Sequence, residues 1–571
     1  MGLGNILAQL DEGLTSLLGQ WNGYSTGLAT AFVLIITYAI MTRVEPEIHP
    51  MLLARQAQGS PVRQERESPV YRGNSAPHSL PLNSGLNVKD PGASKWAQGR
   101  DGDLRDVWRR TISGPPEEDG PKGKGRILTV LGSQKVIEHK LDDITRQINL
   151  IGQHISSQGG SKVAIYLPNS VEFIATLFAC CFYNLTAILL PFDQPEDAVI
   201  SMLQRSGADT VVTAPGAFPF DSAVKSCPAL RQLIWVVDEG SNHLDWNEVP
   251  KGMGGSVNVS TWQEIVNDNP LTAGTELPAA DSKAEVKDVI IFWQSEPSTL
   301  EEMVRFTQGN LVSAISAQLT AVPTRERFSP ADLFLPAASL SSSYTLVLTL
   351  AAMYSNSSVA FNSVAGSVTD LDLATTGVAP TIVVATPETL KKTHGETTGR
   401  ISSMLTQLSH WVQTRSLVQN GAMPVASFLA SYNDGLRPRI GNTAPGKLRL
   451  LYVAEPANEK TTDTRLSETT LSDLRVFTGA RVIYALAAPK CAGAVTQTQF
   501  HDYRISGDGS GSHFGPPLSS TEFYLRDSGS HKVTDESYVG EVVVRGPAVA
   551  GGEAALGVVG AVRPDGTLAY A

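Results

Sequence analysis
Residues 162–192 read KVAIYLPNSVEFIATLFACCFYNLTAILLPF, and their rhythm decides the fold class. A short run rich in Val, Ile and Tyr (KVAIYL) gives way to a helical stretch (VEFIATLFACCFYN) and then to a second short run (AILLPF). Strand-length runs that are apolar nearly throughout suit parallel strands covered by helices on both faces. The same alternation extends outward. LDDITRQINLIGQHI lies upstream, AVISMLQRSG and DTVVTA downstream, and DLFLPAA, PTIVVAT and LRLLYVAE further on, separated by helical segments such as ISSMLTQLSHWVQTRSLV. That pattern predicts an α/β protein with largely parallel sheets. After Ser506 the chain turns to Gly-rich turns and short runs such as TEFYLRD and GEVVVRGP, which predict a small β-rich subdomain over about 506–571.

Composition bounds the function classes. With 571 residues, 42 % hydrophobic and 18 % charged, the chain is long enough for several packed units. The formal net charge of −11 is spread along the chain and leaves no basic footprint for nucleic acid. Cys180, Cys181, Cys227 and Cys491 lack metal-ligand spacing, and the first two sit in the apolar run FACCFY, as buried structural thiols do. His394, His410, His501 and His513 are scattered and read as solvent-facing or structural.

The N-terminus has a different character. Leu3, Ile6, Leu7, Leu10, Leu14, Leu17 and Leu18 recur at helical spacing and predict an amphipathic helix over residues 1–20. No charged residue occurs between Glu12 and Arg43, and GYSTGLATAFVLIITYAIMT has about the length that spans a bilayer, so residues 21–43 are expected to form a single-pass transmembrane helix. No Lys or Arg precedes Arg43, which argues against a cleaved signal peptide. Basic residues downstream of that stretch place the body in the cytosol, with the endoplasmic reticulum as the default membrane. Residues 44–102, polar and rich in Pro, Gly, Ser and Arg, read as a flexible linker, and 103–571 as the folded body.

Several scaffold segments together resemble the adenylate-forming (AMP-binding) superfamily of acyl-CoA synthetases, peptide-synthetase adenylation domains and luciferases. KVAIYLPNSVEF, SGADTVV, GEVVVRGPAV and VRPDGTLAY carry the likeness, in the family's order and spacing, from about Val107 to the C-terminus. The resemblance implies the N-terminal domain of such enzymes, with two α/β subdomains and a small β-rich one. It also brings an expectation of ATP and Mg chemistry on a carboxylic acid.

The family's phosphate loop, Y-T-S-G-T-T-G-x-P-K-G-V-x-x-T-H-x-N-L, aligns without a gap to WQSEPSTLEEMVRFTQGNL, residues 293–311. Loop glycines let the backbone wrap an anion in a nest of N–H groups. Here Glu296, Thr299 and Met303 take the glycine positions and Glu302 takes that of the lysine. A carboxylate in place of that cation turns attraction for phosphate into repulsion of about 1 to 4 kcal/mol per nearby unit charge. The degenerate ATP-site positions implied by the alignment are Ser295, Ser298, Thr299, Glu302 and Tyr484.

Other motifs of the family are altered in step. Its Y-G-x-T-E, which holds phosphate and Mg, corresponds to Tyr484, Ala485, Leu486, Ala487 and Ala488. Its ribose-binding T-G-D corresponds to Leu556, Gly557 and Val558, and its fourth-motif histidine falls near Ser341 or Ser342. The sequence stops at Ala571, where the family continues into a lid of about a hundred residues, so the lid is expected to be absent. GDGSGS at 507–512 follows no strand and opens no helix, so it reads as a loop.

No catalytic residues and no metal site are assigned, and no cofactor is expected. ATP and Mg enter only if the chain is an active ATP-dependent fatty acid–CoA ligase. The leading expectation is a membrane-anchored, acyl-CoA synthetase-like pseudoenzyme that binds fatty acid or acyl-CoA, or a protein partner such as an active homologue, in lipid metabolism. The alternatives are that active ligase and a purely structural interaction module.

Overall fold
The computed structural model describes residues 15–16, 19, 22–41, 45–89, 92–94, 96–115, 123–131, 135–237, 257–279, 286–293, 302–424, 437–438, 440, 448–457, 465–505, 512–534 and 538–571. Residues 1–47 and 48–571 form two separate compact units.

In the first unit the described helix is Gly23–Met41. Asn22 caps it, its Oδ1 accepting from the backbone N–H of Tyr24 at 3.0 Å and of Ser25 at 3.1 Å. Leu28, Phe32, Val33, Leu34, Ile35 and Ile36 are exposed. The transmembrane helix expected over 21–43 is not supported, because among the described residues no helix is long and apolar enough to cross a membrane. The amphipathic helix expected over 1–20 falls almost wholly outside the described residues.

Three sheets build the second unit. The first α/β layer has strand order β11-β10-β6-β5-β7-β8-β9. Its strands are β5 (Lys162–Tyr166), β6 (Thr186–Leu189), β7 (Thr210–Thr213), β8 (Gln232–Trp235), β9 (Asn258–Thr261), β10 (Val289–Trp293) and β11 (Glu302–Phe306). All run parallel except β11, which returns antiparallel on β10. The apolar run between β5 and β6 is the helix Val171–Phe182, started by Ser170, whose hydroxyl accepts from the N–H of Phe173. Nearly every residue of that helix is buried, which is why its sequence shows no polar face. It packs against the helix Leu141–Ser157 so closely that a Cβ on Gly152 would lie 2.1 Å from the Tyr183 ring, so glycine alone fits there.

The second α/β layer has order β17-β16-β15-β14-β12-β13-β3-β4. It comprises β3 (Ile127–Leu131), β4 (Lys135–His139), β12 (Leu333–Pro336), β13 (Ser358–Asn362), β14 (Ile382–Ala385), β15 (Leu450–Pro456), β16 (Arg481–Ala487) and β17 (Thr496–Gln497). Only its outermost pairs, β3 with β4 and β16 with β17, are antiparallel. The third sheet, antiparallel throughout, has order β1-β2-β18-β19-β20-β21. Here β1 is Ala57–Gly59, β2 Tyr71–Gly73, β18 Glu522–Arg526, β19 Val539–Arg545, β20 Glu553–Val562 and β21 Leu568–Tyr570.

The segment 44–102, read from its composition as a flexible linker, is laid along the body. Ser68 and Leu525 exchange bonds through Ser68 N–H to Leu525 O at 2.8 Å and Leu525 N–H to Ser68 Oγ at 2.8 Å. Tyr71 stacks on Phe523 with centroids 5.4 Å apart, and Arg72 Nε reaches Glu522 at 2.6 Å. Three-residue strands are too short to display a period, so composition alone misses a segment whose order comes from pairing with another sheet edge.

Gln56 fixes the start of this strap. Its side chain is fully buried, and its Nε2 donates to Asp502 at 2.7 Å. Asp502 also accepts two bonds from Arg504, at 2.8 and 2.7 Å, and Arg504 bridges on to Asp565 at 2.7 Å. The N–H of Gln56 donates to the Asp565 carbonyl at 2.8 Å. At the same turn Gly566 has φ +83°, and a Cβ there would meet the Ala57 carbonyl at 2.6 Å.

Candidate functional site
β10 and β11 form a hairpin whose last pair is Trp293 with Glu302. Ser295, Ser298 and Thr299, with Glu296 and Glu301, belong to the segment between them and lie outside the described residues. Glu302, the first residue of β11, faces Lys490 with Nζ and Oε1 3.3 Å apart, both side chains about half exposed. The position expected to repel phosphate therefore already has a cation of its own. Lys490, two residues beyond Ala488 in AAPKCAG, was not singled out from the sequence; the basic residue in an otherwise apolar run was the available signal.

The right-hand frame of the loop survives for structural reasons. Thr307 and Asn310 form a capping box on the helix Gln308–Ala321. Thr307 Oγ1 accepts from Asn310 N–H at 3.1 Å, and Asn310 Oδ1 from Thr307 N–H at 2.9 Å. Asn310 Nδ2 also donates to the carbonyls of Pro547, at 2.7 Å, and Val549, at 3.1 Å. The neighbouring Gln308 is buried, accepting from Leu104 N–H at 3.1 Å and donating to the Lys287 carbonyl at 3.1 Å. These residues hold helix, strand and turn together whether or not an anion binds.

Tyr484 lies in β16, fully buried, with its hydroxyl donating to Glu455 Oε2 at 3.0 Å and its ring stacked on Phe514 at 5.0 Å. Burial first, and the adjacent Glu455 carboxylate second, push its phenol pKa well above the ordinary value. The hydroxyl is thus directed at a buried protein carboxylate. Sequence reading missed Glu455, which sits at the C-terminal end of β15 and is itself fully buried. Ala485, Leu486, Ala487 and Ala488 are buried as well, so methyl groups fill the positions that in the family pattern carry the phosphate hydroxyl and the Mg carboxylate.

The remaining two motifs are equally apolar or neutral. Val558 is buried in β20, its side chain part of the core shared by the second and third sheets. Ser341 is buried with its hydroxyl 2.8 Å from that of Ser339, and Ser342 caps the helix Ser343–Tyr354 without a side-chain bond. Asn169 holds this turn, donating to the carbonyls of Pro336 at 3.0 Å and Ala338 at 2.8 Å and accepting from Leu340 N–H at 2.8 Å. Among the described residues no group of three or more His, Cys, Asp or Glu is arranged to hold a metal. The described side chains at these positions supply neither the loop cation nor the carboxylates that ATP and Mg require, and no reaction step is derived through those groups.

The histidines are structural where they are buried. His513 accepts from Gly515 N–H at 3.1 Å and lies 3.5 Å from Asp502, and burial lowers its pKa. The four cysteines are buried and unpaired with one another. Burial raises the pKa of each, that of Cys491 to about 12, which makes them inert as nucleophiles.

Comparison with known proteins bears on the fold. The AMP-binding enzyme family matches residues 142–292, which span the first α/β layer as far as β10. No curated protein matches the chain. Among solved structures, the anthranilate CoA ligase AuaEII in complex with anthranoyl-AMP is similar with TM-score 0.56 at 13 % identity, over 82 % of this chain and 77 % of that one. The N-terminal domain of FACL13 from Mycobacterium tuberculosis gives 0.54 at 13 %, over 82 % and 100 %. Coronafacic acid ligase from Pectobacterium brasiliense gives 0.53 at 15 %, over 82 % and 78 %. At these identities the structures establish a shared fold with acyl- and aryl-CoA ligases, and residues 142–292 match the AMP-binding enzyme family.

Proposed function
We propose that this chain is an acyl-CoA synthetase-like pseudoenzyme, one that keeps the fold, has given up acyl-adenylate formation, and acts in lipid metabolism by binding an acyl ligand or a protein partner. One observation carries the reading. Glu302, at the position of the phosphate-loop lysine, is engaged with Lys490 at 3.3 Å, so a nucleotide would meet a closed ion pair in place of a free cation. The alanines of β16 and the buried Val558 point the same way. The structural neighbours are ligases of carboxylic acids by name, which supports an acyl group as the ligand class.

Calorimetry on the full chain with Mg-ATP, beside thermal melts with fatty acid and with acyl-CoA, tests this. The reading expects no heat from Mg-ATP and a raised melting temperature with the acyl ligand. Micromolar Mg-ATP binding followed by acyl-adenylate formation would instead establish an active ligase.

The exposed apolar helix Gly23–Met41 serves in this reading to attach the chain to a membrane, with the endoplasmic reticulum as its site and the body in the cytosol. Asn184, Asn258 and Asn356 stand in glycosylation sequons. Glycan at any of them in cells would overturn that topology.

A further inference from the structure
The helix Met404–Asn420 is turned inside out. Its inward face buries Ser409 and Gln413 beside Leu417, while Met404, Leu405, Leu408 and Trp411 are exposed, Met404 at 85 % and Trp411 at 55 %. Residues 404, 408, 411 and 415 follow one another at helical spacing, so Met404, Leu408 and Trp411 form a stripe that ends at Arg415. A helix on a water-soluble surface normally has the opposite arrangement. Exposing such a stripe to water is costly, which marks it as a surface made to be covered.

The inward face is specified by polar contacts. His410 Nε2 bonds Asp473 Oδ1 at 2.9 Å, and His394 Nε2, from the preceding helix Pro387–Arg400, bonds Oδ2 of the same carboxylate at 3.0 Å. Both rings lie near Phe477, at 5.1 and 5.9 Å between centroids. These contacts fix the rotation of the helix, so the outward stripe is imposed by the fold.

The chemistry of the stripe selects its cover. The Arg415 guanidinium lies 5.2 Å from the centre of the Trp411 ring, joining an amphipathic aromatic to a cation at the edge of the apolar patch. No Asp or Glu occurs in the sequence between Glu396 and Asp434, although the chain as a whole is strongly acidic. An acid-free helix with Leu and Met outward and Trp and Arg together is suited to the headgroup boundary of a bilayer, apolar side chains below and guanidinium among phosphates. We infer that the helix Met404–Asn420 docks the body onto an anionic phospholipid surface. This contact belongs to the 48–571 unit and does not depend on how the nucleotide question is answered.

Hydrogen exchange of the full chain, with and without phosphatidylcholine–phosphatidylserine vesicles, tests the inference by locating protection along the sequence. Vesicles should slow exchange in 404–420 several-fold, and phosphatidylcholine alone should slow it less. Leu408→Glu with Trp411→Glu should abolish the slowing there while exchange in β5 to β8 stays as in the parent. Arg415→Glu, which changes only an exposed side chain, should weaken it on anionic vesicles. Vesicle-dependent protection confined to Gly23–Met41 would overturn the proposal. So would protection of 404–420 that is complete without lipid, or that rises with protein concentration in its absence, since its own chain or a second copy would then be the cover.

Discussion
Two arrangements of carboxylate and cation in this molecule differ in what surrounds them. The Asp502 side chain is fully buried and gathers Gln56, Arg504 and His513 around it. Glu302 and Lys490 meet at the cleft with both side chains about half in water. Removing a partner from a buried network leaves a charge without compensation, whereas an exposed pair gives up little because water replaces what is lost. The chain thus invests its costly electrostatics in holding the N-terminal strap. The cleft, where the family's chemistry would sit, has only a weak pair.

The sharpest test of that contrast is Asp502→Ala. It should cost about 3 to 5 kcal/mol, read as a lowered denaturant midpoint together with fast exchange in β1 and β2. Gln56→Ala removes one hydrogen bond to the same carboxylate and should cost about 1.5 to 3 kcal/mol, with exchange accelerated in the strap but unchanged in β5 to β8. If both variants melt as the parent does, the strap is not anchored through this network.

Acid should act on the same residue. Burial alone would raise the pKa of Asp502, but the hydrogen bonds from Arg504, the nearby His513 and the bond from Gln56 outweigh it and hold the group at about 2, against an ordinary 3.8. A depressed folded-state pKa means stability that is fully present above pH 4 and is lost as the pH falls towards 2, roughly 2 kcal/mol in all. Asp103, Asp332, Asp473 and Asp565 are also held low and lose stability in the same window, so equilibrium unfolding should show a loss about 2 kcal/mol smaller in Asp502→Asn than in the parent, each measured relative to its value at pH 5.

At the small end, Glu302→Gln should change stability by at most about 1 kcal/mol. Glu302→Lys brings a second ammonium up to Lys490. Combined with Glu296→Gly it tests whether the loop is merely masked, and the pseudoenzyme reading expects calorimetry to show no Mg-ATP binding in the folded double variant. Recovery of binding would make the cleft the more conservative of the two regions and reverse the comparison.

The first α/β layer was legible in the sequence because its strands and helices are long enough to show their periods and are buried on both sides, as in β5, the helix Val171–Phe182 and β6. The strap was not. Its order comes from partners such as Asp502 and Phe523, hundreds of residues away, and short strands with one aromatic contact leave no local pattern. At the cleft the residues themselves, among them Glu302 and Ala488, were readable in the sequence. What they touch was not, because Lys490 and Glu302 lie far apart in the sequence and meet only in the folded chain. The membrane-spanning expectation rested on a count of apolar residues, and among the described residues no helix is long and apolar enough to cross a membrane.

The pairing of β2 with β18 also dictates an order of events during synthesis. Gln56 and Asp502 are 446 positions apart, and Gln56 and Asp565 are 509 apart. The strap leaves the ribosome long before β18 and has no edge to join until β18 has followed. Contacts of such separation form late and slowly. The first α/β layer, whose contacts are far more local, is free to fold before β18 is made, and closure of β1 and β2 onto β18 comes after it.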